Sequence, residues 1–238
     1  MHLFYTPELT PSTSTFTLSE EESKHCIRVL RLAVGSSIVL IDGRGGWYKA
    51  EIIDDNAKRC SVQIVDVKIE HEKRSHYLHI AIAPTKNMDR LEWFVEKATE
   101  IGIDEISILE CKNSERTVVK NERLQKVVVS AIKQSLKAYL PQVNELQNFK
   151  KFISTIADFK GHKYIAHCYT NDNKKHLNEL YQKAQPVLIL IGPEGDFTLE
   201  EVKMAEDSGF KQISLGNSRL RTETAALYAC TAINIKNE

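Results

Sequence analysis

From Tyr77 onward the chain alternates short apolar runs with amphipathic stretches, and that alternation leaves few folds open. Residues 77–83, 105–109, 164–168, 187–191 and 212–215 read as strands. Helices are expected at 87–101, 121–140, 150–159, 174–182 and 199–208, with a last helix closing the chain. In the 87–101 stretch Leu91, Phe94, Val95, Ala98 and Ile101 form one stripe, stopped by Gly102 at the C′ position. The 121–140 stretch carries a stripe of Leu124, Val127, Val128, Ala131, Ile132 and Leu136, and Pro141 sets its expected end. Repeated strand-helix units imply an α/β fold with a mostly parallel sheet covered on both faces.

Ligands of such sheets sit beyond the carboxyl ends of the strands. Three consecutive strands end in informative loops: His167-Cys168-Tyr169, Gly192-Pro193-Glu194-Gly195-Asp196-Phe197, and residues 215–222. They converge if their strands are neighbours. Gly192 and Gly195 permit close backbone approach, and Thr198 with Glu201 reads as a capping box opening the next helix. The last loop puts Arg219, Arg221 and Glu223 between an apolar strand and an apolar helix. Such charges either bind and catalyse, or the arginines are solvated and Glu223 supports the first helical turn. The Gly-Pro-Glu-Gly loop likewise reads as a ligand loop or as a plain turn. Neither GxxxxGK[ST] nor GxGxxG occurs, which excludes a P-loop and a dinucleotide fingerprint. Glu194 would repel a phosphate, so the loop suits a neutral or cationic ligand, such as an adenosine or an amino-acid ammonium group.

The first third reads as β-rich, with runs at 3–5, 15–18, 37–41, 47–53 and 61–67 and a hairpin turn at Asp42-Gly43-Arg44-Gly45-Gly46. One helix interrupts them, opened by Ser19 with Glu22 and ending near Arg31, so a small barrel carrying one helix is expected. Arg28 and Arg31 share a face of its last turn, where they complement the helix dipole or meet a phosphate. Apolar residues vanish between Glu70 and His76, which puts a domain boundary at about residue 73.

Composition narrows the class further. No apolar run approaches the ~20 residues of a membrane span, and the N-terminus has no basic region followed by a long apolar stretch, so no signal peptide is expected and a cytoplasmic protein is. The five cysteines form no CxxC pair and the eight histidines no HExxH, so neither a disulfide framework nor a metal is expected. Net charge is zero but uneven: residues 1–72 carry 8 basic and 11 acidic side chains, a net of −3, and residues 111–151 carry 9 and 3, a net of +6. The basic stretch is compatible with nucleic-acid phosphates, although lysine-rich faces are usually just solvated.

Ile191-Gly192-Pro193-Glu194-Gly195, followed by Leu215-Gly216 and Leu220-Arg221-Thr222-Glu223-Thr224-Ala225, resembles the paired signature of the RsmE family. The resemblance extends over nearly the whole chain, through His25 to Leu32, the DRLEWFVEKATEIGI stretch, Ser114-Glu115-Arg116 and Gln134-Ser135. These are SPOUT-class enzymes that methylate N3 of a uridine in small-subunit ribosomal RNA using S-adenosylmethionine. The resemblance implies a PUA-like RNA-binding β-barrel at 1–72 and a SPOUT domain at 73–238, with a parallel sheet, a deep trefoil knot and a homodimer. It implies cofactor contacts from His167, Ile191, Gly192, Pro193, Glu194, Gly195, Leu215, Gly216, Leu220, Arg221 and Thr224.

On this reading Arg221 stabilises the uridine anion, because a guanidinium is a poor base, and Glu223 is either the base or a helix-terminus carboxylate. RNA contacts are expected from Arg28, Arg31, Lys86, Arg116 and Lys137, with 16S ribosomal RNA, in the assembled small subunit, as the partner. The sequence departs from the pattern at Asp196, where a second glycine is common, at Ser218 and Arg219, where an arginine and an apolar residue are usual, and at Lys137, where an arginine follows the Gln-Ser pair. Two alternatives are a SPOUT-fold tRNA methyltransferase and a non-catalytic ribosome-associated RNA-binding protein.

Overall fold

The structure is a computed structural model that describes residues 1–169 and 174–238, and its contacts divide the chain into two compact units. The first comprises residues 1–73 with residues 132–140, a return segment that a single boundary near residue 73 leaves out. Its sheet contains β1 (Leu3–Tyr5), β2 (Thr15–Thr17), β3 (Ser37–Ile41), β4 (Trp47–Asp54) and β5 (Ser61–Lys68), in the order β1-β3-β4-β5-β2. The pair β1 and β3 is parallel and the other pairs are antiparallel.

The turn joining β3 to β4 is built on Asp42. Its Oδ1 accepts the N–H groups of Arg44 (2.7 Å) and Gly46 (2.9 Å), while Gly43 and Gly45 take the left-handed backbone that glycine adopts without strain. Phe4, Leu9, Leu18, Ile38, Leu40, Tyr48 and Val62 form the core of this unit. Helix α1 (Glu20–Lys24) is capped by the Ser19 hydroxyl, which accepts from Glu22 N at 3.2 Å. It continues as a wider π turn over His25–Val29, and Arg31 ends it with a positive φ of 55°.

The second unit, residues 74–131 and 141–238, holds a seven-stranded sheet. Its strands are β6 (Leu78–Ile82), β7 (Glu105–Glu110), β8 (Gln142–Asn148), β9 (His162–Ala166), β10 (Lys175–His176), β11 (Val187–Ile191) and β12 (Lys211–Ser214). The order is β10-β12-β9-β11-β6-β7-β8 and every pairing is parallel. All residues of β6 and β11 are buried, as expected of strands covered on both faces; β11 is an unbroken apolar run, and β6 is apolar apart from His79. The helices are α2 (Met88–Ile101), α3 (Asn121–Ser135), of which residues 132–135 fall in the first unit, α4 (Phe149–Thr155), α5 (Leu177–Leu180), α6 (Leu199–Asp207) and α7 (Thr222–Asn237). Helices α2 and α7 pack together, and α7 also lies against β6 and β11. Phe149 and Phe152 of α4 and Val202 and Ala205 of α6 join Leu188, Leu190 and Phe197 in one buried cluster.

Three expectations need correction. The helix expected over 121–140 stops at Ser135, because Leu136 turns left-handed (φ 56°) and Lys137 N reaches back to the Ile132 carbonyl at 3.0 Å, a Schellman closure. The backbone beyond it is then taken up by the Asp42 turn: Gly45 N donates to Ala138 O (3.0 Å) and Leu140 N to Gly43 O (2.9 Å). Residues 142–148, left unassigned by the sequence pattern, form β8 beside β7. The helix expected at 174–182 shortens to α5, preceded by the two residues of β10.

Candidate functional site

Strands β12, β9 and β11 are immediate neighbours, so the three loops at their carboxyl ends converge. They enclose a cavity of about 900 Å³, at the upper end of the range for small-molecule sites. Of the expected cofactor residues, His167, Ile191, Gly192, Pro193, Glu194, Leu215, Gly216, Leu220 and Arg221 line it. Gly195 and Thr224 do not, nor does Glu223, the expected base or helix-terminus carboxylate. Lys174, Asp196, Arg219, Thr222 and Ala225 line it as well, and Lys174 carries no local signal that would have marked it beforehand.

The loop after β11 is fixed by its surroundings. A Cβ at Gly192 would meet the Phe197 ring at 3.0 Å, and the Gly192 carbonyl accepts from Thr222 Oγ1 at 3.1 Å, joining this loop to the start of α7. Glu194 Oε1 accepts from Lys86 N at 2.9 Å. Asp196 takes a left-handed φ of 63°, a conformation that costs a side chain ~1 kcal/mol or more. It is offset locally, since its Oδ2 accepts from Cys168 N (2.7 Å) and its Oδ1 from Phe197 N (2.8 Å). The departure from glycine therefore ties two walls of the cavity together.

The wall after β9 is held from its other side by Lys174. Its ammonium donates to His167 Nδ1 (2.9 Å), His167 O (2.7 Å) and Tyr169 O (2.6 Å). Because an ammonium only donates, His167 Nδ1 accepts and Nε2 carries the hydrogen toward Gln212 Oε1 at 2.9 Å. Burial, reinforced by the Lys174 charge, pulls the His167 imidazole below its usual range. Burial also lowers the Lys174 ammonium, against the pull of Asp196. Burial first, and Asp196 next, push the Cys168 thiol up.

Gly216, just past β12, has a φ of 109° that favours glycine, and the chain then runs through Arg219 and Arg221 into α7. Arg221 is the exposed N-cap residue of α7 and holds the helix by its carbonyl, which accepts from Ala225 N at 2.7 Å. Glu223, in the first turn of α7, is 7% exposed and lies 4.0 Å from Arg90 Nε of α2. That ion pair, rather than the cavity, is where the structure puts its carboxylate.

The expected RNA contacts separate into two groups. Arg28 and Arg31 are exposed around the π turn of the first unit, and Lys137 is half-buried just beyond α3. In the second unit the Lys86 ammonium pairs with Glu115 at 2.8 Å, and Arg116 donates to the Lys86 carbonyl from Nη2 (2.7 Å) and Nε (3.2 Å). Among the described residues no group of His, Cys, Asp and Glu side chains could hold a metal, and no helix is long and apolar enough to cross a membrane.

The RNA methyltransferase domain family matches residues 71–234, and the RNA methyltransferase PUA domain matches residues 18–65. The chain is 31% identical to a ribosomal RNA small subunit methyltransferase E of Synechocystis sp., over 93% of this chain and 73% of that one. It is similar to the crystal structure of a probable rRNA-methyltransferase from Porphyromonas gingivalis, with 40% identity, a TM-score of 0.90 and coverage of 100% and 98%. It is also similar to a ribosomal RNA small subunit methyltransferase E from Neisseria gonorrhoeae bound to S-adenosyl methionine, with 25% identity, a TM-score of 0.85 and coverage of 100% and 98%.

Proposed function

This chain belongs to the family of ribosomal RNA small subunit methyltransferases E, and on that premise we propose that it transfers a methyl group from S-adenosylmethionine to N3 of a uridine in 16S ribosomal RNA. One observation carries the reading: three loops from adjacent parallel strands enclose a single cavity, with Arg221 on its wall. The residues present fit the cofactor. Ile191, Ile213, Leu215 and Leu220 offer apolar surface to an adenine, and the glycine-turned backbone offers donors and acceptors beside it. Glu194 and Asp196 supply negative charge for a cationic group. Bound there, the cofactor supplies a methyl group already activated on a sulfonium.

The protein then has to orient the acceptor and favour the charge that moves during transfer. Uridine N3 must give up its proton, which passes to solvent water, and Arg221 stabilises the resulting anion from the cavity wall. Glu223 is reassigned from base to positioning residue, since its buried carboxylate pairs with Arg90 and fixes the first turn of α7 behind Arg221. Arg28, Arg31 and Lys137 remain the proposed RNA contacts, with the assembled small subunit in the cytoplasm as the setting. The same premise carries a trefoil knot in the second domain, which chain tracing in a crystal with cofactor would test. It also carries a homodimer, formed through α7.

Small subunits from a strain lacking the enzyme, incubated with protein and cofactor, should gain one N3-methyluridine detectable by mass spectrometry. Arg221→Ala should retain cofactor binding and lose methylation by ~10²-fold or more. Wild-type turnover by that variant, or methylation of tRNA in place of 16S RNA, would overturn the assignment.

A further inference from the structure

Arg116 was expected to meet RNA, yet its guanidinium is turned inward onto the protein's own backbone. Nη2 and Nε both donate to one acceptor, the Lys86 carbonyl, at 2.7 and 3.2 Å. The N–H of that same residue donates to Glu194 Oε1 at 2.9 Å. Lys86 is therefore gripped at its carbonyl by Arg116 while its amide holds the carboxylate on the cavity wall.

The segment that bears Arg116 makes two further hydrogen bonds to the same loop and one to the first turn of α6. Asn113 Nδ2 donates to the Gly195 and Asp196 carbonyls, both at 3.1 Å. A Cβ at Gly195 would lie 3.1 Å from Asn113 Cβ, so the glycine is needed for the approach of this segment and not for contact with the cavity. Lys112 N donates at 2.8 Å to Oε1 of Glu201, whose Oε2 closes the capping box by accepting Thr198 N at 2.8 Å. Residues 112–116 thus hold the loop after β11 at its carboxylate, at its central carbonyls and at the start of α6.

We propose that residues 112–116 form a clamp that positions the loop after β11 for the cofactor, with Arg116 and Asn113 as positioning residues that act through Glu194 and the loop carbonyls. Neither side chain lines the cavity, so removing them alters cofactor binding only by releasing the loop. An arginine serving a phosphate would present its donors to solvent; here two of them are spent on a carbonyl.

The inference rests on the cavity being the S-adenosylmethionine site, and calorimetry with that cofactor in the absence of RNA tests the two separately. Wild-type protein that takes up no cofactor would sink the site assignment itself. If wild type binds, Arg116→Ala and Asn113→Ala should each raise Kd about tenfold or more, the scale of one lost hydrogen bond at a charged or buried group. Arg116→Lys, which still donates to the single carbonyl, should recover part of the loss. RNA affinity and its salt slope should stay at wild-type values in all three. Cofactor binding unchanged in both alanine variants would overturn the clamp, as would Arg116→Ala losing RNA affinity with a shallower salt slope while binding cofactor normally. Asn113→Ala serves as the independent arm should Arg116→Ala not fold.

Discussion

Asp196 illustrates how one side chain serves conformation and site together. Its short carboxylate tolerates the left-handed backbone better than most residues do, because it bonds locally to Phe197 N, and its second oxygen reaches Cys168 N on the neighbouring wall. His79 carries a different consequence. It is 3% exposed, donates to or accepts from Ser107 Oγ at 2.9 Å, and burial, opposed by Glu105, pulls its pKa down to about 4. It is neutral in the folded protein, while in the unfolded chain it protonates below about 6.5. Its contribution is therefore complete above that pH and is lost as pH falls toward 4, by about 2 kcal/mol at pH 5. Thermal unfolding from pH 7 to 5 should show a falling midpoint, and His79→Gln should flatten the fall. His76, His162 and His167 are shifted the same way by burial and act in the same direction.

Among the elements, α7 is apolar on more than one side. Ala226, Ala229, Cys230 and Ile233 are buried, while Ile235 (63%) and Tyr228 (39%) remain exposed. A helix apolar around its circumference calls for a second covering surface, which is the element-level support for the proposed dimer. Ile235→Glu should convert the dimer to a monomer in sedimentation velocity without lowering the secondary-structure content, and a monomeric wild type would remove the proposal. The elements that were legible in the sequence are those with strong local signals. Buried β11 is an unbroken apolar run and β6 is apolar apart from His79, and Thr198 with Glu201 forms the capping box its spacing predicts. Strand β8 was not legible, because Gln142, Asn144, Glu145, Gln147 and Asn148 have weak strand propensity and only pairing with β7 makes them a strand. The same limit applies to the site. Its loops could be found from strand ends, but the Glu223–Arg90 pair and the Arg116–Lys86–Glu194 chain join residues far apart in sequence, and no local pattern encodes them.

For the molecule as a whole, the proposed activity divides between a basic surface and a cavity. Arg28 and Arg31 belong to the first unit and the cavity-lining residues to the second. Replacing both arginines with alanine should weaken RNA binding and reduce its salt slope by about one per lost phosphate contact, with cofactor affinity unchanged by calorimetry. An unaltered slope would take these two residues out of the RNA surface. The strand order has a further consequence, for kinetics. Strand β11 lies between β6 and β9, both of which are synthesised before it, and it pairs with β6 across more than 100 residues of chain. Until it arrives, β6 and β9 of the nascent protein face an open slot with unpaired edges. Such long-range parallel pairing raises contact order and slows folding, while exposed edges invite aggregation. The sheet's central strand thus arrives after both of its neighbours, and during synthesis the half-made chain is at its most dependent on chaperones just before the segment that builds the cavity emerges.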